Sequence, residues 1–128
     1  MSDIVEAKFW LKSAKFLFDS PEDEREKNTV ITAQAIHAII KANDALTVKF
    51  LGKRAERHDE APLLFLKLIE QNKIPPGYAN YRTQILIPAI NLKSKADYKG
   101  IEVSKNTARS WIDLAEKIYK MADETVKK

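Results

Sequence analysis

The sequence predicts an all-α protein, an antiparallel four- to five-helix bundle of up-and-down topology. Apolar residues recur three and four apart in five separate stretches, and no segment reads as a strand. Serine, proline and glycine fall at the edges of those stretches, where helices start and stop. A chain of 128 residues suits one core, so residues 1–128 are read as a single domain.

In the first stretch Ile4, Ala7, Leu11, Ala14 and Phe18 line one helix face. Asp3 and Glu6 have the spacing of an N-cap and its acidic partner. Ser20-Pro21 ends this helix and reads as the start of the next. There Ser20 caps, Pro21 fits the first turn, and Glu22, Asp23 and Glu24 suit the positive end of the dipole. Nothing then breaks the helix from about residue 22 until Gly52. Ala33, Ala35, Ala38, Ala42 and Ala45 permit close approach, while Ile36, Ile39, Ile40, Leu46 and Phe50 supply bulk. This is the central helix.

A third helix is expected over about 59–71, with Pro62 tolerated in its first turn. Ile74-Pro75-Pro76-Gly77 is a strong loop signal, read as a turn within the bundle because the remaining residues are too few for a second core. The fourth helix is expected over about 78–95. Pro88 lies inside it and should kink it, at a cost of roughly 3 kcal/mol in a regular helix. Ser104 caps the last helix, along which Ala108, Trp111, Ile112, Ala115, Ile118, Tyr119 and Ala122 repeat at helical spacing.

Charge narrows the function classes only slightly. The chain holds 22 Lys and Arg against 18 Asp and Glu, a net charge of +4. Residues 19–26 are mostly acidic, whereas Lys49, Lys53, Arg54, Arg57 and His58 form one basic run and Lys93, Lys95, Lys99 and Lys105 another. There is no cysteine, which removes disulfides and thiolate chemistry and makes a reducing cytoplasm the simplest compartment. No stretch reaches the roughly 18 to 20 apolar residues of a membrane span. The acidic start, Met1-Ser2-Asp3-Ile4-Val5-Glu6, is unlike a signal peptide. Neither a zinc spacing nor a glycine-rich phosphate loop is present, and no metal or cofactor is expected.

A few residues stand out for chemistry. Gln34, His37, Lys41 and Asp44 share a polar stripe on the second helix. The simple reading is the wet side of an amphipathic helix; the functional one is a His37/Asp44 pair facing a groove or partner. Asn43 projects from the apolar face, and a buried amide there is expected to fix neighbouring backbone or to line an interface. Arg57 and His58 follow a helix end, where cations suit the dipole, and are also candidates for an anionic ligand. Lys93, Lys95, Asp97 and Tyr98 place two cations, an acceptor and an aromatic donor within six residues, a set that can hold a phosphate and stack a base.

Ala33 to Leu46 resembles the long second helix of the HEPN family, the higher eukaryote and prokaryote nucleotide-binding helical bundles. The stretch Leu92-Lys93-Ser94-Lys95-Ala96-Asp97-Tyr98 is similar to the Arg-x-Arg-Ala-Asp-Tyr signature of one branch of that family, and Ala108, Ile112, Ala115 and Glu116 match its closing helix. The resemblance covers nearly the whole chain. It implies a helical bundle that forms a homodimer, often encoded beside a minimal nucleotidyltransferase in a toxin-antitoxin-like pair, and binding RNA, a nucleotide or a partner protein. Many relatives are RNases that use an Arg and a His with four to six residues between them. Here no His follows Arg82 or Lys93 at that distance, and Lys93 stands where the branch has Arg. Lysine lacks the guanidinium fork, and without the histidine no general base is evident near neutral pH. The resemblance thus implies a non-catalytic module; the rivals are a metal-independent endoribonuclease built on His58, Lys93, Asp97 and Tyr98, and a purely structural helical subunit. A homodimer is expected also because the helices show more apolar surface than a short bundle covers, including Trp10 and Trp111.

The missing motif generates a direct expectation. The purified protein should leave RNA intact in a gel-based cleavage assay. Cleavage that disappears in a folded His58→Ala variant would establish the endoribonuclease instead.

Overall fold

Alanine-rich faces let three long helices pack closely. In a computed structural model that describes residues 2–93 and 102–128, these are α1 (Asp3–Asp19), α2 (Glu26–Leu51) and α5 (Lys105–Val126). Two short helices, α3 (Ala61–Glu70) and α4 (Ile87–Lys93), close the remaining side of α2. No strand occurs among the described residues. The all-α helical bundle expected from the periodicity is the fold observed.

The helix directions follow from side-chain pairs. Trp10 meets His37 and Asp3 lies near Lys41, so α1 and α2 run antiparallel. Lys105 and Arg109 sit over Phe18, and Lys15 pairs with Glu116, so α5 also runs antiparallel to α1. Ala35, Ala38 and Ala42 of α2, Ala7 and Ala14 of α1, and Ala108, Ala115 and Ala122 of α5 are all fully buried. Ile31, Ile36, Ile39 and Leu46 add bulk from α2, and Phe65, Leu68, Ile85 and Leu86 seal the other side. Ile74 joins the same core, which keeps the Pro75-Pro76-Gly77 turn within the bundle. No helix among the described residues is long and apolar enough to cross a membrane.

Helix ends depart from expectation where tertiary contacts compete with local signals. Asp3 is not a cap: Ser2 holds that position without a side-chain bond, and the Asp3 carboxylate is instead buried against Arg54. The second helix begins at Glu26 rather than near 22. Ser20 donates its hydroxyl to Leu17 O at 2.7 Å, closing α1, and Lys27 Nζ donates to the carbonyls of Ser20 and Glu22. Those bonds hold residues 20–25 in a turn. Gly52 does end α2, with a φ of 75° that a side chain would strain. Residues 58–60 form a short 3₁₀ turn before α3, and Pro62 sits in the first turn of α3 as expected.

The fourth helical stretch is broken up. A 3₁₀ turn covers Pro76–Tyr78, a π-helical segment covers Arg82–Leu86, and α4 starts directly after it. Pro88 cannot donate to the carbonyl four residues back and its ring would crowd it; the wider π turn just upstream takes up that mismatch instead of a simple kink. The expected end of this helix, residues 94–95, lies outside the described residues. Ser104 caps α5 as expected, accepting from Thr107 N at 3.1 Å. Arg25 pairs with Glu102 at 3.1 Å and ties the start of that helix to the start of α2.

Asn43 corrects another expectation. It is fully buried, yet neither amide atom has a hydrogen-bond partner among the described residues, so it fixes no backbone and lies on no exposed interface. An unpaired buried amide is costly, whereas leucine has the same heavy-atom branching without polar atoms. Asn43→Leu is therefore expected to stabilise the fold by about 1 kcal/mol in urea unfolding. A loss of stability would mean that the pocket is shaped for the amide.

Candidate functional site

The antiparallel pairing of α1 and α2 sets two histidines, two lysines and a tryptophan in one corner. His37, on the middle of α2, stacks on Trp10 of α1 with ring centroids 4.7 Å apart and planes 20° from parallel. Periodicity put His37 on a polar stripe with Lys41 and Asp44; the fold covers part of that stripe with α1. His58 reaches the corner from the 3₁₀ turn before α3, and Lys93 from the last residue of α4.

Electrostatics show which groups feel one another. The His37 imidazole is held below the usual histidine range by burial, then by the positive charge of Lys93, with His58 and Lys41 adding to it. His58 is lowered by burial and by the same Lys93, against a weaker opposite pull from Asp59. Both influences favour the neutral form of each imidazole. Lys93 makes no ion pair among the described residues.

One turn further along α2, the corner becomes acidic and internally paired. Asp3, with a side chain only 4% exposed, takes Arg54 Nη2 at 2.6 Å and Lys41 Nζ at 3.7 Å. Lys41 also lies 3.6 Å from Glu6. Asp44 is buried beside this group, and burial together with the negative charge of Asp3 raises its pKa to about 6, against the pull of Lys41 and Arg54. Arg54 is raised by its hydrogen bond to Asp3.

The candidate residues thus separate. His37, His58 and Lys93 are close enough to feel one another's charge, and Trp10 stacks on His37. Asp44 is near them but buried in the acidic group, and Asn43 is in the core. Arg57 is engaged within its own loop: its guanidinium makes two bonds to Asp59, at 3.1 and 2.6 Å, and its backbone N–H donates to Glu60. That fork is already filled. Lys95, Asp97 and Tyr98 lie outside the described residues. Among the described residues, no three His, Asp or Glu side chains are grouped to hold a metal ion.

Sequence reasoning passed over three members of this corner. Asp3 carried a capping signal, Arg54 read as a helix-end cation, and Trp10 read as apolar surface. Each acquires its role from a residue at least 27 positions away, as in Trp10 with His37 and Asp3 with Arg54. No local spacing encodes such pairs. Comparison of the chain with protein families, with curated proteins and with solved structures gives no match.

Asp44 yields a pH prediction. Its folded pKa, about 6, lies above the ordinary 3.8, so between these values the folded chain binds more protons than the unfolded one. Its contribution to stability therefore grows as pH falls from about 7 to 4, by no more than roughly 2–3 kcal/mol. Asp44→Asn should stabilise the protein at pH 7 and narrow its advantage at pH 4.5, read from urea midpoints. A pH-independent difference between the two proteins would show that Asp44 titrates normally.

Proposed function

We propose that the chain is a non-catalytic HEPN-type module that holds a phosphate of single-stranded RNA or of a nucleotide between His37, His58 and Lys93. The observation that carries this reading is that two imidazoles from separate elements, both lowered first by burial, also feel the positive charge of Lys93. The one carboxylate acting on His58, Asp59, is held by Arg57. A group with surplus positive potential and several N–H donors favours an anion, and a lysine acts on phosphate as a point charge. Trp10 adds a stacking surface: one face lies on His37 and the residue stays 36% exposed, enough for a base to stack on it.

Nearby acids do not cancel this potential in the same way. Asp3 already takes Arg54 and Lys41, and Glu6 shares Lys41. Neutral imidazoles in the free protein also give binding a pH signature. A bound phosphate raises their pKa, so the complex holds more protons than the free protein, and affinity increases as pH falls from 8 towards 6.

The test uses anisotropy of a fluorescein-labelled single-stranded RNA, with Trp fluorescence as a second signal. Lys93→Ala is expected to weaken binding several-fold and to reduce the salt slope by about one, with unchanged helix content. His37→Ala with His58→Ala should abolish the strengthening at low pH. No binding by the native protein, or unchanged affinity in the folded Lys93→Ala variant, would overturn the reading.

A further inference from the structure

The anion corner is open on its Trp10 side. Trp10, which stacks on His37, also lines a hollow on the outer face of α1 with Val5, Glu6, Phe9 and Ser13. A second hollow shares Phe9 and Ser13 with the first and continues along α1 to Lys12, Phe16, Leu17 and Gln34. The two make one groove, and Gln34 stands a single helical turn before His37 on α2. From Trp10 to Phe16 the groove runs about 9 Å along the helix axis.

Its lining suits unpaired bases and the phosphates between them. Phe9 and Phe16 are 55% and 79% exposed, so each offers a ring to stack on. Single exposed hydrophobes are ordinary, but three aromatic residues following one another along one groove mark a binding surface. Lys8 and Lys12 lie over the Phe9 ring at 4.9 and 5.9 Å and have no ion pair among the described residues. Stacking rings interleaved with unpaired lysines are what a single strand requires. Glu6, the acid in this lining, is 3.6 Å from Lys41. Gln34 adds a polar edge: its Oε1 is buried without a hydrogen-bond partner, and a donor such as the amino group of a base relieves an unpaired acceptor once the carboxamide turns towards it. Asp19, Glu22, Asp23 and Glu24, exposed beyond Phe16, repel phosphate and end the path there.

We infer that the occupant of the anion corner is an unpaired RNA strand of about four nucleotides or more, not a mononucleotide. One phosphate is held by His37, His58 and Lys93. Adjoining bases stack on Trp10, Phe9 and Phe16, and Lys8 and Lys12 meet the phosphates between them. This rests on the phosphate-holding role proposed above and adds to it a length requirement and two further stacking positions. A flat anionic membrane cannot stop at Phe16 as a strand can, and the acidic turn would be pressed against it.

Anisotropy of a fluorescein-labelled RNA octamer, with unlabelled adenosine monophosphate as competitor, tests the inference. The octamer is expected to bind at least about tenfold tighter than the mononucleotide. Phe9→Ala and Phe16→Ala should keep native helix content and each weaken the octamer about fivefold or more, the lower end of one base–aromatic stack. Lys8→Ala/Lys12→Ala should reduce the salt slope by about 1.4, the share of two single-strand phosphates. An octamer that depends on Lys93 but binds no tighter than adenosine monophosphate, or binds both phenylalanine variants as it binds the native protein, would overturn the length requirement and leave the corner standing. No octamer binding by the native protein would overturn both. Loss of phosphatidylserine-vesicle binding or of a dimer in Phe16→Ala, with octamer affinity unchanged, would assign the face to lipid or to a second copy and overturn the inference.

Discussion

The close approach of α1 and α5 to α2 is the constraint on which the rest depends. Fully buried alanines line all three helices, Ala7 and Ala14 on α1, Ala35, Ala38 and Ala42 on α2, and Ala108, Ala115 and Ala122 on α5. Small side chains allow interaxial distances at the short end of the usual 8–10 Å range. That closeness lays Trp10 flat on His37 and brings Asp3 within reach of Lys41. It also limits the core. With alanine in so many interior positions, much of the apolar bulk comes from α2 and from Phe65, Leu68, Ile85 and Leu86, so the short elements on the far side are structural necessities rather than appendages.

The buried carboxylates then decide where the loop after α2 goes. Asp3 is at the start of α1 and Arg54 lies 51 residues later, just past the helix-ending Gly52. A carboxylate only 4% exposed needs a cation and hydrogen bonds, and Arg54 supplies both from a half-exposed position. Removing Arg54 would leave the buried Asp3 carboxylate with only Lys41 at 3.7 Å, which is far costlier than the pair itself is stabilising. The consequence for function is positional. Pinning Arg54 fixes the start of the segment that carries His58 back towards α2, so the acidic group serves as an anchor for the basic one. Asp44 adds strain to that anchor, since a second carboxylate beside Asp3 has to ionise against both burial and like charge.

Helix existence was legible because it rests on 3.6-residue periodicity, and the strongest cases, Ile4 to Phe18 and Ala108 to Ala122, lie inside α1 and α5 as observed. Ends were less so. The Ser20-Pro21 signal is sound chemistry, but Ser20 bonds backwards to Leu17, and Lys27 draws the next residues into a turn. Pro88 announced a distortion without specifying its form, because a π turn and a kink relieve the same clash. At the candidate site, His37, His58 and Lys93 were each noticed separately, yet sequence spacing gave no reason to put them together. What joins them is the packing of α4 against α2 and of α3, which follows the 58–60 turn, against the same helix. Exposed aromatic surface was misplaced for the same reason: Trp10 and Trp111 drew attention, whereas Trp111 packs against the core and the largest exposure belongs to Phe9 and Phe16.

The arrangement of Lys93 and the two imidazoles bears on the choice between binding and cleavage. Acid–base cleavage of RNA by a histidine pair needs the two rings in opposite states, one neutral to take the 2′ proton and one charged to give a proton to the leaving oxygen. Environments that push two pKa values apart create such a pair. Here the dominant influences, burial and Lys93, push both rings downward together. A shift of both rings in the same direction favours their neutral forms, each of which can donate one N–H to a phosphate. Under the proposed phosphate-binding role a shared downward shift suits the holding of a phosphate, whereas acid–base cleavage depends on two rings that differ.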